Sequence, residues 1–436
     1  MNTFLILIVI IVVLLLKKTF LIKWLEKYSN WSGVLLPRKI MDRNDLCGPI
    51  VKTKNNNDVE KFSNLGLAFF YRGQYEEAVS NFSKVIEIDP QFGDTFYNRG
   101  NAFSSLGKYE EAIADYSKAV QINPEFGDCF INRGNAFSSL GKYKEAIADY
   151  SKAIQINPED SEAFYNRGLE FANLSKYEEA ISDYSKAIDI NPEFVSVFFS
   201  RGWTFFILGK FVDAISDYSK AIEINPEFAK AFSHRGATFF FLKKYEEAIT
   251  DYSKAINIYP EDPEAFCNRG NAFSSLGKYE EAIADLSKAV QINPQFAIAF
   301  NYRGLTFFKL GKYEEAIADY SKAIQNDSQF GSFFINRGNA FFSLGKYEEA
   351  ITDHSKAIQI NQEDPEAFYN RGNAFAGLGK HEEAIADYSK VIQINPQIAC
   401  AFLNRGLVYK SIGKIKEAEQ DLLKVKELNK QKLEGK

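Results

Sequence analysis

The residues of this 436-residue chain that could support acid–base, nucleophilic or metal chemistry are few, and their spacing argues against each. A metal centre needs His, Cys or carboxylate groups at ligand spacing. His234, His354 and His381 are scattered, and Cys47, Cys129, Cys267 and Cys400 form no CxxC pair. Neither a metal nor a catalytic thiol is expected, and unpaired cysteines fit a reducing compartment. Adjacent glutamates such as Glu110-Glu111 could suggest paired-carboxylate catalysis, but they recur at the start of a predicted helix, where negative charge complements the helix dipole. The run from Gly100 to Lys108 is wrongly spaced for a phosphate-binding loop, and Tyr109 stands where the loop needs Ser or Thr. The reading is therefore non-enzymatic, with no cofactor, no metal, no nucleotide and no small-molecule substrate.

The elements that would have to position any functional residue are set by a repeat. Arg-Gly recurs at residues 99, 133, 167, 201, 235, 269, 303, 337, 371 and 405, a period of 34 residues without insertion. With Leu65-Gly66 this makes eleven repeats, opening at residues 59, 93, 127, 161, 195, 229, 263, 297, 331, 365 and 399 and ending at 432, with a tail at 433–436. A fixed period in this range predicts a solenoid whose units bury their apolar faces only against one another.

Within the repeat, Phe at position 4, Gly at position 8, an aromatic at position 11 and Leu at position 14 form one amphipathic helix face. Gly-Lys at positions 15 and 16, as in Gly107-Lys108, predicts its end. Positions 17, 20, 21, 24 and 28 form a second stripe, seen as Tyr109, Ala112, Ile113, Tyr116 and Val120. Asn-Pro closes most units because proline cannot continue a helix. Small residues at positions 8 and 20 are expected where the two helices cross.

The stretch NRGNAFSSLGKYEEAIADYSKAVQINP resembles the tetratricopeptide repeat family, over about six sevenths of the chain. The resemblance implies an all-α fold, a right-handed superhelical α-solenoid of helix-turn-helix units, and partners that are proteins. The chain departs from the family pattern with Phe at position 4 and Arg at position 7.

Ten repeats carry Arg at position 7 and the same ten carry Asp at position 23, whereas the first has Leu65 and Asn81. Co-variation within a repeat predicts ion pairs inside each hairpin, such as Arg99 with Asp115, Arg133 with Asp149 and Arg235 with Asp251; the alternative is ordinary solvated charge.

In the resembled family the first helices line a concave groove through positions 2, 5, 6, 9, 12 and 13. Position 6 is Asn64, Asn98, Asn132, Asn166, Asn268, Asn336, Asn370 and Asn404, interrupted at Ser200, His234 and Tyr302. A carboxamide both donates and accepts, so a file of them can hold a peptide backbone regardless of sequence. The file is similar to the asparagine ladder of O-linked N-acetylglucosamine transferases, although asparagine is also a consensus residue there. Near its interruptions stand Phe199, Trp203 and Phe206, either groove hot spots or filling between helices.

Residues 1–58 carry nine Lys/Arg against four Asp/Glu, which leaves the repeats near −10 in a chain of net charge −5. An acidic array has no electrostatic reason to bind nucleic acid. Residues 4–16 are an uninterrupted apolar run followed by Lys17-Lys18 and an amphipathic stretch with Trp24. The basic residues follow the run, as in a signal-anchor and not as in a cleaved leader, and the positive-inside rule then puts the repeats in the cytosol. Residues 1–28 are thus expected as a membrane anchor with a basic flank, and 29–58 as a linker. Together these features predict a membrane-anchored scaffold or adaptor that binds extended peptides or helices in its groove. A substrate-recruiting subunit of a glycosyltransferase system and an organelle import receptor are the alternatives that the resemblance suggests.

Overall fold

The computed structural model describes residues 57–434, with side chains through residue 431. The anchor expected over 1–28, nearly all of the 29–58 linker and the end of the tail lie outside the described residues.

Among the described residues there are twenty-two α-helices and no strands. They alternate between a first helix of thirteen residues, such as Gly93–Ser105, and a second of fourteen, such as Tyr109–Ile122. The outermost are longer, Asn57–Tyr71 at one end and Ile415–Glu434 at the other.

Local chemistry sets the boundaries. Gly107 adopts φ +72°, and the Lys108 and Gly107 N–H groups donate back to the carbonyls of Phe103 at 2.9 Å and Ser104 at 3.0 Å. Those two bonds satisfy carbonyls that the helix end leaves bare. The same left-handed position is held by Ser175 (φ 59°) and Lys243 (φ 60°), so the turn is imposed even where no glycine is present. Second helices end on an extended residue such as Asn123, whose Oδ1 accepts the Glu125 N–H at 3.1 Å before the chain turns into the next repeat.

Packing follows from size. A Cβ on Gly100 would stand 2.7 Å from the Tyr116 ring, and one on Gly304 3.2 Å from the Ala316 carbonyl oxygen. The helices of a hairpin therefore touch nearly backbone to backbone at position 8. Alanines at position 20, among them Ala112, Ala146 and Ala282, are fully buried on the other side of that crossing.

The chain divides into two compact units, up to Pro226 and from Glu227 onward. Within each, successive helices pack in chain order. Each unit's core is a strip of small clusters shared between neighbouring hairpins, such as Phe130, Ile131, Ala146, Tyr150 and Ala163. In the last repeat Glu419 and Lys426 occupy columns that are apolar elsewhere, and both are exposed.

Candidate functional site

Position 7 places an arginine between the two helices of its own hairpin and, within each unit, beside the hairpin that precedes it. Arg133 Nε donates to Asp149 Oδ2 and Nη2 to Oδ1, both at 2.7 Å, while Nη1 donates to Ser117 Oγ of the preceding hairpin at 3.0 Å. The guanidinium lies 5.4 Å from the Phe130 ring centre, a cation–π contact. Arg99 repeats the arrangement with Asp115 and Ser83, at 2.7 and 2.9 Å. Arg235 pairs with Asp251 at 2.7 Å. The serine is held for this role, since Ser117 Oγ donates to the Ile113 carbonyl at 2.7 Å and so turns its lone pairs outward. Burial pushes the Asp149 carboxyl above its ordinary value, against the pull of Arg133. Burial would lower Arg133, but the hydrogen bonds and charge of Asp149 outweigh it and raise the guanidinium. The bidentate geometry decides between these opposing directions in favour of an ion pair.

The position-6 asparagines are not equivalent. Asn64 is exposed, Asn98 and Asn166 are buried, and Asn132, Asn268, Asn336, Asn370 and Asn404 are half-buried. Where partners exist they come from the preceding repeat. Asn132 Nδ2 donates to Tyr97 Oη and Asn101 Oδ1, both at 3.0 Å, and Asn404 Nδ2 donates to Tyr369 Oη and Asn373 Oδ1, both at 2.9 Å. Asn336 Nδ2 donates to Asn301 Oδ1 at 2.9 Å. A second column, position 9, completes the network: Asn101, Asn135 and Asn373 accept the buried hydroxyls of Tyr116, Tyr150 and Tyr388 at 2.7, 2.7 and 2.8 Å. Each position-6 carboxamide in this network is thereby oriented with its nitrogen committed inward.

Two of the three aromatics near the interruptions belong to the core. Phe199 is 4% and Phe206 5% exposed. Phe199 packs on Tyr218 with ring centres 5.8 Å apart, and Phe206 on Phe211 of the same hairpin at 5.6 Å. An aromatic at position 12 meets the ring at position 17 repeatedly, as in Phe240 with Tyr245 at 5.3 Å, although Phe342 in the same column stays exposed. Trp203 is half-buried and stacks on Phe206 at 5.5 Å with 12° between planes.

A half-open depression of about 250 Å³ in the second unit is lined by Phe308, Asn339, Phe342, Ser343, His354, Glu366, Asn370 and Asn373. His354 stands in the position-24 column, where most repeats have tyrosine, and is fully buried. Neither of its ring nitrogens has a hydrogen-bond partner. Burial, aided by the Arg371 charge, lowers its pKa to about 4, so the ring is neutral. Burial and the neighbouring Asp364 charge push Glu366 up to about 7.

Sequence reasoning passed over the position-9 asparagines and the serines at position 25. Both had a signal. Serine fills position 25 in the first ten repeats and gives way to Leu423 in the last, one repeat out of step with arginine, which is missing only from the first. That offset is the mark of a contact between neighbouring repeats. Among the described residues, no cluster of His, Cys, Asp and Glu could hold a metal ion. Burial raises the Cys267 thiol well above its ordinary value, which leaves it inert. No helix among the described residues is long and apolar enough to cross a membrane.

Profiles described as tetratricopeptide repeat match residues 93–126, 161–194, 195–228, 297–330 and 365–398, with a further one at 401–432. A profile described as TPR repeat matches 66–107, 134–175, 238–277, 270–311 and 338–379. Curated proteins give no match. Similar solved structures include YrrB, titled a TPR protein with an unusual peptide-binding site, at 27% identity over 42% of this chain and 95% of that chain, with a TM-score of 0.38. A tetratricopeptide repeat protein from Parabacteroides merdae is 21% identical over 58% of this chain and 100% of that one, with a TM-score of 0.45. Yeast Tom70 is 14% identical over 86% and 96%, with a TM-score of 0.41.

Proposed function

From the premise that this chain belongs to the tetratricopeptide repeat family, we propose that it is a protein-interaction scaffold that binds extended peptide segments along the first helices of its repeats. The observation that carries this reading is the pre-oriented carboxamide file. Asn132 Nδ2 is spent on Tyr97 and Asn101, while Asn101 Oδ1 is spent on Tyr116 and Asn132. What remains is an acceptor, Asn132 Oδ1, beside a donor, Asn101 Nδ2. A peptide group offers the complementary N–H and C=O, and orienting the protein's half in advance reduces the entropy lost on binding. Asn404 with Asn373 forms the same unit. Residues 4–16 are proposed to anchor the chain in a membrane with the repeats facing the cytosol, on the strength of the apolar run and the lysines that follow it.

The test is affinity capture with the full chain, identified by mass spectrometry, repeated with Asn132→Ala, Asn336→Ala and Asn370→Ala combined. These three are half-buried, and the variant counts only if its helical content and melting match those of the parent. Most clients should be lost, because backbone contacts are common to all peptides. Changes at the exposed Glu110 and Glu111 should lose none. Retention of every client by the asparagine variant, with loss on altering the glutamates, removes the groove as the binding surface.

A further inference from the structure

We propose that this chain associates head to tail: the first repeat of one copy stacks on the last repeat of another, in the register that joins neighbouring repeats, with Leu65 packed against Leu423. This contact does not depend on the groove.

The internal junction defines the register. Where the third repeat meets the second, Arg133 at position 7 donates to Ser117 at position 25 at 3.0 Å. Asn132 at position 6 donates to Tyr97 at position 5 and to Asn101 at position 9, both at 3.0 Å. Ala136 at position 10 is buried in the cluster that holds Tyr97. In later repeats Leu305 at position 9 packs in the cluster of Ala340 at position 10. Positions 5, 9 and 25 therefore form the trailing face of a repeat, and positions 7 and 10 belong to the leading face of the next.

Among the described residues both faces are bare at the ends of the array, and they have changed together. On the trailing face of the last repeat, Leu403, Leu407 and Leu423 are 38%, 52% and 58% exposed. On the leading face of the first repeat, Leu65 is 38% exposed, and Ala68 is open to solvent although Ala102 and Ala272 in its column are fully buried. Single exposed apolar residues are ordinary, but these five occupy the columns that make junctions.

The changes select a second copy as the occupant. Position 7 loses arginine at one end, position 25 loses serine at the other, and leucine replaces each. In the internal register Leu423 meets Leu65 and Leu407 meets Ala68. An arginine laid on Leu423 would lose the acceptor that serine provides, so the two altered ends suit each other better than either suits an internal face. The first repeat also has no carboxylate that needs the missing arginine, because Asn81 replaces aspartate and spends its Nδ2 on the Glu77 carbonyl at 2.8 Å. Charge agrees with this pairing. Lys210 at position 16 reaches Glu178 at position 18 of the preceding repeat at 3.3 Å, a second tie point for the register. Between the two tie points, Arg72 at position 14 falls opposite Glu417 and Glu419, and all three are exposed. Lys61, exposed at position 3, carries its charge on a stem long enough to reach solvent at the rim. A heterologous contact of this kind generates rings or open chains, not closed pairs, and so brings together the peptides that separate copies hold.

The experiment is sedimentation velocity of the full chain over a range of concentrations, in detergent to shield the apolar run at residues 4–16. The parent should form oligomers that grow with concentration. Leu65→Glu and Leu423→Glu each spoil one end, and each alone should associate more weakly on the order of tenfold or more, since a carboxylate replaces a leucine buried at the contact. Mixed one to one, the two variants should form a heterodimer and nothing larger, because each supplies the face the other lacks. Both substitutions lie on exposed positions, and unchanged circular dichroism confirms the fold. A parent that stays monomeric, as it would if residues 1–56 covered the leading face, overturns the proposal. So does association that survives both substitutions, as contact through residues 4–16 would, or a mixture that stays monomeric. Client capture by the asparagine file is read separately and stands or falls on its own.

Discussion

Arg133 and Asp149 lie sixteen residues apart and meet through two parallel hydrogen bonds of 2.7 Å, with side chains 16% and 7% exposed. Removing one partner of such a desolvated pair strands the other charge, so the loss exceeds what the pair itself contributes. Arg133→Leu should cost on the order of 2–3 kcal/mol, and adding Asp149→Asn, which copies the first repeat, should restore part of it. Ser117→Ala should cost about 1 kcal/mol by cutting the bond to the preceding hairpin. Urea midpoints of the single and double variants check the set, and simple additivity of the Arg133 and Asp149 changes would refute the coupling.

Ser175 and Lys243 hold left-handed backbone at φ 59° and 60°, where their counterparts are glycines. A side chain with a Cβ is strained there. Ser175→Gly and Lys243→Gly should each stabilise the array, by about 0.5–1 kcal/mol, even though glycine gains unfolded-state entropy. A lowered melting temperature in both would contradict this account of the turn.

Gly100→Ala sets two effects against each other. Alanine is better than glycine inside a helix by about 1 kcal/mol. The new Cβ would stand 2.7 Å from the Tyr116 ring, in a hairpin whose crossing has no slack. Overpacking costs about 1–3 kcal/mol, so the net change should be destabilising. Circular dichroism melting of the variant reads the sign directly.

His354 gives the second unit a pH dependence. Its folded pKa, lowered to about 4, lies below the value near 6.5 of the unfolded chain. The unfolded state therefore binds more protons between those values, and stability falls as pH drops from about 6.5 to 4. His354→Tyr removes this term. The advantage of the variant over the parent should widen across that window by an amount on the order of 2–3 kcal/mol, and a constant difference at every pH would rule it out.

The proposed anchor has a topological readout. Sequons stand at Asn30, Asn81, Asn173 and Asn326. With the repeats in the cytosol none should carry glycan, and the chain should resist carbonate extraction yet yield to protease added to intact organelles. A mass shift sensitive to glycosidase would place the array in the lumen.

Periodicity alone determined the hairpin, because an unbroken spacing of 34 leaves one arrangement in which every apolar stripe finds a neighbour. The crossing glycines and the turn at position 15 were legible for the same reason, each column being read eleven times. The offset between the serine and arginine columns was equally present in the sequence, since a contact between neighbouring repeats leaves one partner missing at each end. Tertiary structure alone decided which polar and aromatic columns reach solvent. Phe199, Trp203 and Phe206 differ little as residues, but burial depends on the ring each one meets across the hairpin, and that distance is not written in spacing. The inward commitment of the asparagine nitrogens and the depression beside His354 arise in the same way. Both come from how far a side chain on one helix reaches toward another, a length that only the packed backbone sets.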